Sequence, residues 1–505
     1  MEKGKKILIE GAGPGGLAAG MLLAHRGFEV HIFEKEGKAG GRNCYFERDG
    51  FKFDIGPTFL MLKSILEEVF EECNKNASSY LKLTRLSPMY RLYFYDKTLD
   101  IYDEEDKMLE VIEKNFPGNG KGFENFLKRE KVRFEKMYPC LQKSYSKFSS
   151  FFSKEFLSAI PYLSLGKSMY QELGKYFDDE TLKISFTFQS KYLGMSPWSC
   201  PAAFMIIPYI EHRFGIYHTE GGLSEISSQM ARAFEEEGGK IHYSKKVNSL
   251  IIEKGKTKGI ELEEGEKILG DEVILNADFG YSMTKLVPEG FSRKYSRQKL
   301  LSKLFSCSTF MLYLGLDKIF DLPHHNIIFS RDYKKFIQDV ADFIDVKEDL
   351  SIYVRNASLS DKTLAPEGMS NIYILVPVPN NKSKINWEEK KQPFKELILK
   401  TISERTELKD IENHIVIEKI ITPQDWEDKF NVFLGATFNL GHNLSQMLYF
   451  RPHNQYEEFE NLWLVGGGTH PGSGLPTIYE SGRITANLIS KKYKVKFKTK
   501  NLLFD

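Results

Sequence analysis

The chain has 505 residues and a mass of 58.3 kDa, which at roughly 150 residues per domain predicts about two to four structural units. Lys plus Arg number 70 against 69 Asp plus Glu, a formal net charge of +1, and this balance excludes a nucleic-acid binder built on a basic surface and an acidic solvating tail. Aromatic residues reach 13%, which points to a large core or a large apolar ligand.

Cys44, Cys73, Cys140, Cys200 and Cys307 show no C-x-x-C spacing. Neither a disulfide framework nor a zinc site is expected, and a reducing, cytoplasmic compartment is the default. Lys5 and Lys6 run at once into Ile7-Leu8-Ile9 without an apolar h-region, so no signal peptide is expected. The longest apolar stretches, such as Ala202 to Ile207, fall short of the ~18 residues that a membrane span needs.

In chain order, Lys6 to Glu10 reads as a short buried strand. It is followed by Gly11-Ala12-Gly13-Pro14-Gly15-Gly16 and an apolar helical run, Leu17 to Ala24, that stops at Gly27. A second strand, Glu29 to Phe33, ends at Glu34 and Lys35. This β-α-β unit has the layout of a dinucleotide site. Gly11 permits the tight turn, Gly13 close backbone approach to a diphosphate, and Gly16 helix-on-strand packing. Pro14 and Gly15 open a helix whose free N–H groups attract phosphate, and Glu34 is placed to accept from ribose hydroxyls.

Between roughly Tyr90 and Arg213 the periodicity reads as helical and aromatic-rich. Within it, residues 128–175 carry ten Lys and Arg against four Glu, interleaved with nine Phe and Tyr that include Phe148, Phe151, Phe152 and Phe156. This composition suits a segment lying on anionic lipid, and equally a helical cap with solvated lysines. A second β/α region follows. Leu223 to Glu237 is amphipathic and ends at Gly238-Gly239, and strands are expected over 240–243, 247–253, 257–263 and 271–275. Strand-like runs recur at 309–316 and 371–378, with a helix over 387–406. The last 55 residues hold a strand at 461–465, the run Gly466-Gly467-Gly468-Thr469-His470-Pro471-Gly472-Ser473-Gly474-Leu475-Pro476, and a helix from Thr477 to about Lys491.

The N-terminal fingerprint, Gly40-Gly41-Arg42, Phe53-Asp54-Ile55-Gly56-Pro57-Thr58, Tyr192-Leu193-Gly194-Met195-Ser196-Pro197, Ile207-Pro208-Tyr209-Ile210-Glu211, Leu364-Ala365-Pro366-Glu367-Gly368, Phe450-Arg451-Pro452 and Gly467 to Gly472 together carry a resemblance. The chain resembles the bacterial and fungal phytoene desaturase family, FAD-dependent carotenoid desaturases within the wider group of flavin amine oxidases. The resemblance implies an α/β fold with a Rossmann-type FAD-binding domain that is discontinuous in sequence, from residues 1–90, 214–302 and 446–505. It implies a mixed α+β substrate and membrane-associating domain from residues 91–213 and 303–445. FAD is then favoured over NAD. The diglycine Gly40-Gly41 lets backbone run against the cofactor and Arg42 offers paired donors to phosphate. Gly56, Pro57 and Thr58 are implied near the isoalloxazine, and Val247 at the adenine through its backbone. Gly467 and Gly468 let a strand end turn beside the cofactor, and Pro476-Thr477 starts a helix whose N–H groups favour negative charge on the reduced ring.

The implied reaction is desaturation of an acyclic polyene, phytoene or its thirty-carbon analogue, by hydride transfer to flavin N5 and loss of a proton. The implied partners are the polyene itself, the inner membrane face with peripheral attachment, and an acceptor such as a quinone or oxygen, since no second G-x-G-x-x-G provides an NADPH site. His470 is the one histidine that invites a catalytic role, but its glycine-rich turn fits packing as well, and the proton acceptor stays unassigned. Isomerase, saturase, oxygenase and amine oxidase relatives share the scaffold. Thr469 to Gly472 and Leu364 to Gly368 favour the carotenoid branch over amine oxidation. A flavin-binding carrier of apolar lipid is the alternative that is not an enzyme.

Overall fold

A computed structural model describes residues 4–503. Its first layer is a five-stranded parallel sheet in the order Leu462–Leu464, Glu272–Leu275, Lys6–Glu10, Glu29–Phe33, Lys240–His242. The central strand is buried on both faces, with Ile7, Leu8 and Ile9 fully covered, so it reads as an unbroken apolar run and not an alternating one. The helix Pro14–His25 packs on it and on two others, Glu225–Glu236 and Leu475–Lys492. It begins three residues before the expected Leu17 because Pro14, lacking an N–H and preset in φ, occupies the first helical turn.

The two ends of the described chain meet here. A Cβ on Gly482 of the last helix would stand 2.5 Å from the Gly15 carbonyl oxygen, and one on Gly15 would stand 2.5 Å from Val465. Buried ion pairs reinforce the docking: Arg483 Nε lies 2.9 Å from Glu72 Oε1, and Arg26 lies 3.1 Å from Glu72 Oε2.

The second layer is a seven-stranded sheet in the order Ile415–Ile421, Ser308–Leu316, Ser370–Val378, Ile352–Asn356, His325–Ile328, Tyr90–Tyr93, Thr98–Ile101. Its last two strands correct the expectation of helix from Tyr90 onward. Each is only four residues long, and Tyr90–Tyr93 finds its parallel partner in His325–Ile328, far away in sequence. Local periodicity carries no trace of such a pairing.

Side chains alternate across this sheet with period two. Phe310 points to the helix Trp387–Arg405, meeting Trp387 at 5.6 Å and Phe394 at 5.0 Å between ring centroids. Thr309, Met311, Tyr353, Leu375 and Pro377 turn to the opposite face, where they line a cavity. The helix Gly120–Leu141 buries Phe123, Phe126, Phe134 and Tyr138. Within the basic stretch, Phe134, Tyr138 and Tyr145 are therefore core, and its exposed apolar part narrows to Phe148, Phe152, Leu157, Ile160 and Leu165. Phe151 turns inward, onto Phe156 at 4.9 Å. Among the described residues, no helix is long and apolar enough to cross a membrane.

Candidate active site

Two cavities lie between the sheets. The larger, about 690 Å³, is the more polar of the two, and its wall includes Gly11, Gly13, Pro14, Glu34, Lys35, Gly41, Arg42 and Gly467. The smaller, about 290 Å³, is mostly apolar and aromatic, with Gly56, Thr58, Phe59, Tyr192, Tyr353 and Pro476 in its wall. Arg42, Ile55, Pro57, Leu475 and Ile478 belong to both, so the cavities adjoin. Of the other expected site residues, Gly15, Gly16, Val247, Gly468 and Thr477 line neither. Val247 is buried in the small antiparallel sheet opposite Leu262, and Gly468 leaves room for Phe279.

The polar cavity is a cradle of backbone. Gly11 sits at φ 87°, in the left-handed region. Asn276 clasps the loop, its Nδ2 donating to the Gly11 carbonyl at 2.9 Å and its Oδ1 accepting from Gly16 N at 2.9 Å. Glu34 accepts from Ala12 N at 2.8 Å and Glu36 N at 2.9 Å, which leaves its carboxylate capacity for further donors. Glu10, at the end of the central strand, accepts from Ala277 N at 2.8 Å, and burial pushes its carboxyl up to about 7.

Arg42 is anchored on the far wall. Its Nη1 donates to the Thr437 carbonyl at 2.8 Å. Asn439, with its amide turned to satisfy both neighbours, accepts from Arg42 Nη2 at 3.0 Å and donates to Asp278 at 2.6 Å. Two donors of Arg42 are thus spent on protein, and the guanidinium is held in place at the junction of the cavities.

Three tyrosines from adjacent strands fix the loop between the cavities. Tyr313 donates to the Ile55 carbonyl at 2.6 Å, Tyr373 to the Gly56 carbonyl at 2.8 Å, and Tyr353 to Thr58 Oγ1 at 2.8 Å. A Cβ on Gly56 would lie 2.4 Å from the Arg42 carbonyl oxygen, so only glycine lets the loop lie against Arg42. Across from it the last helix opens with Leu475 and Pro476 and has no acidic residue in its first turn. Its positive end is left for an anionic group. Thr477 turns its hydroxyl back onto the preceding loop, 2.8 Å from the Ser473 carbonyl oxygen.

The loop before that helix is held by Arg451, which is wholly buried. Its Nη2 donates to the Gly467 carbonyl at 2.6 Å and its Nε to the Thr469 carbonyl at 3.1 Å, and burial alone pulls its guanidinium down to about 9. His470 lines neither cavity. Its ring donates from Nε2 to the Lys143 carbonyl at 2.8 Å and meets Tyr145 edge-on at 5.2 Å. Burial drops it to about 3, so it is a neutral packing element.

Asn276, Asp278, Asn439 and the three tyrosines were absent from the sequence reading, and Arg451 entered it only as part of a motif. The signal for Asn439 and Arg451 lay in polar residues beside apolar or aromatic runs, which sequence alone assigns to surface as readily as to a site.

The donor set fits a flavin dinucleotide: glycine backbone where a diphosphate would approach, an acid at a ribose position, and an apolar cleft for a flat ring beside a helix N-terminus. A family model for flavin containing amine oxidoreductases matches residues 14–490. The chain is 51% identical over 498 residues to a 4,4'-diapophytoene desaturase (4,4'-diapolycopene-forming) of Methylomonas sp, covering 99% of this chain and 98% of the relative. It is 33% identical over 497 residues to a 4,4'-diapophytoene desaturase (4,4'-diaponeurosporene-forming) of Staphylococcus aureus strain Newman, covering 96% and 99%. Among solved structures, the cyclohexylamine oxidase of Brevibacterium oxydans superposes with a TM-score of 0.60 at 13% identity, over 97% of this chain and 100% of the other, a likeness of fold.

Proposed function

The chain belongs to the family of flavin containing amine oxidoreductases, and from that premise we propose that it uses FAD to desaturate an acyclic thirty-carbon polyene of the diapophytoene type. It is a flavin-dependent oxidoreductase of the carotenoid desaturase kind. The thirty-carbon choice rests on the diapophytoene desaturase activity named for its relatives from Methylomonas and Staphylococcus.

The observation that carries the reading is a glycine-lined polar cavity that adjoins an aromatic one and shares Arg42, Pro57 and Leu475 with it as wall. Bound FAD supplies hydride acceptance at its ring. The chain supplies everything else. Gly11, Gly13 and Gly41 admit the diphosphate and Glu34 the ribose, and the N-terminus of the last helix stabilises negative charge by about 0.3–2 kcal/mol. Phe59, Phe188, Tyr192 and Met311 exclude water and hold the hydrocarbon straight.

At about 0.8 kcal/mol per buried CH2, a polyene of this length does not cross water unaided. We therefore place the protein on the bilayer through Phe148, Phe152, Leu157, Ile160 and Leu165, flanked by exposed Lys147, Lys154 and Lys167. Phe148 meets Tyr449 at 5.7 Å, which brings exposed Phe450 and Leu444 to the same side. Replacing Phe148 and Phe152 with Ser should weaken binding to anionic liposomes by about 10-fold or more while the unfolding midpoint stays put; undiminished binding removes the docking assignment.

The activity test is anaerobic mixing of holoenzyme with polyene in liposomes. Loss of flavin absorbance near ~450 nm, with a red-shifted pigment, is expected, and binding without bleaching would leave a carrier. Parallel substrates of thirty and forty carbons settle the length preference. Reoxidation by a quinone against air identifies the acceptor, for which a membrane quinone is our choice.

A further inference from the structure

The desaturase reading leaves open which group removes the proton once the hydride has gone, and we propose that it is Nε2 of His325. The inference rests on that reading. Apart from Arg42, the nitrogen bases in the wall of the apolar cavity are His325 and Lys191 among the described residues.

The hydrogen bonds around His325 determine its tautomer. Tyr353 donates its single phenolic proton to Thr58 Oγ1 at 2.8 Å, and its oxygen lies 2.7 Å from His325 Nδ1. With that proton spent, Nδ1 must carry hydrogen and donate to Tyr353, which leaves a lone pair on Nε2. Nε2 is buried and has no hydrogen-bond partner. The ring stands edge-on to Phe59, another wall residue, at 5.3 Å. A buried acceptor left bare calls for an explanation, and a proton-accepting role supplies one. Thr58 belongs to the loop at the junction, so His325 is tied to the end of the cavity where the hydride leaves.

Lys191 is placed otherwise. Its Nζ donates to Ser351 Oγ at 2.7 Å and lies 5.6 Å from the ring centroid of Phe329. Phe329 is four residues past His325, roughly 13 Å at strand rise, so Lys191 lies deeper along the sheet.

After hydride loss the polyene is an allylic cation. The C–H bond on the neighbouring carbon breaks, its electron pair becomes the new π bond, and the proton forms an N–H bond at Nε2. The imidazolium then returns to its resting Nδ1–H tautomer by releasing the Nε2 proton to water that enters as the product leaves. The surroundings favour that return. Burial, helped by Arg355 and His218, holds His325 well below the ordinary histidine range. Arg355 is paired to Asp54 at 2.8 Å and His218 to Asp361 at 2.8 Å. His324 contacts Ser360 Oγ at 2.5 Å and Arg355 Nε at 3.3 Å.

His325→Asn keeps an N–H toward Tyr353 and removes the basic nitrogen. Holoenzyme of this variant should keep its flavin and lose about 100-fold or more in product formation, the scale of a general base. His325→Gly should lose as much and regain activity with added imidazole, rising with the neutral fraction around pH ~6.5. Imidazole 15N signals, assigned by their disappearance in His325→Asn, should show the Nδ1–H tautomer. More than a tenth of the wild-type rate in His325→Asn, no rescue of His325→Gly, or an Nε2–H signal each overturns the proposal. Wild-type protein that forms no pigment in the same assay overturns the desaturase reading and this inference with it.

Discussion

The polar and apolar cavities share a wall at Arg42 but are built in opposite ways. The polar one draws its largest single share, 13 of 33 wall residues, from one stretch, Gly11 to Tyr45, because phosphate is recognised by backbone amides and a helix end, which one β-α-β unit carries complete. The apolar one takes residues from Arg42 to Ile478, several of them on strands of the seven-stranded sheet, because a hydrocarbon offers nothing to a backbone and is held only by side chains that a sheet must collect from many strands. Recognition of charge can be local in sequence. Recognition of a polyene has to be assembled.

The sharpest break of this contrast is Gly16→Val. Its Cβ would stand 2.5 Å from the Gly11 carbonyl oxygen and 2.8 Å from Asn276, overpacking of the kind that costs about 1–3 kcal/mol or more. The variant should purify nearly colourless, with flavin affinity down roughly 100-fold; normal flavin absorbance contradicts the local origin of the cradle.

Arg451→Met probes the loop that closes the polar cavity from the far end of the chain. It strips the Gly467 and Thr469 carbonyls of their donor, and each buried acceptor left unpaired costs about 1–3 kcal/mol. Urea unfolding should show a loss of about 3 kcal/mol, and a change under 1 kcal/mol would mean that the loop relaxes to water.

Under the apolar cavity the test is one of pH. Glu211 accepts from Gln189 at 2.9 Å and from Tyr90, a wall residue, at 3.2 Å. It lies beside no cation among the described residues, and burial raises it from 4.5 to about 7. The folded protein therefore binds a proton more tightly here than the unfolded chain does, and stability falls as pH rises from about 4.5 to about 7. Glu211→Gln should leave stability unchanged near pH ~4 and raise it by roughly 1–3 kcal/mol at pH ~8. Equal stabilities at both pH values would refute a buried, uncompensated carboxyl. Asp54 runs the other way. Arg355, opposing the burial that would raise it, and the Ser224 and Leu223 amides draw it below its usual range, so its contribution is present above pH ~4 and fades as acid protonates it.

Smallest is Tyr373→Phe, which removes one hydrogen bond to the Gly56 carbonyl at the shared wall. A loss of about 0.5–1.5 kcal/mol in stability is expected, with turnover lowered a few-fold because two tyrosines still hold the loop. Abolished turnover would make Tyr373 more than a brace.

The same contrast explains what could be read in the residues. The strands Lys6–Glu10 and Glu29–Phe33 have the bounds expected of them, since an apolar run bounded by glycine turns is a local signal. Tyr90–Tyr93 escaped as a strand because its reason to be extended lies at His325–Ile328. Arg42 announced itself through Gly40-Gly41, whereas Asn439 and Asp278, which orient it, carry no spacing that ties them to it. Of the paired aromatics Phe151 and Phe152, composition could not say which faces out. Packing on Phe156 turns Phe151 in and leaves Phe152 70% exposed.

Order along the chain by itself determined the nucleotide fold, the flavin family and the desaturase resemblance, because glycine turns, apolar strands and helix starts act within a few residues of one another. Tertiary structure alone decided which tyrosines hold the Ile55–Thr58 loop, that His470 is a neutral brace, and that His325 keeps a bare nitrogen in the apolar wall. Those outcomes depend on burial and on hydrogen bonds between residues hundreds of positions apart, and both exist only once the two sheets have closed on each other.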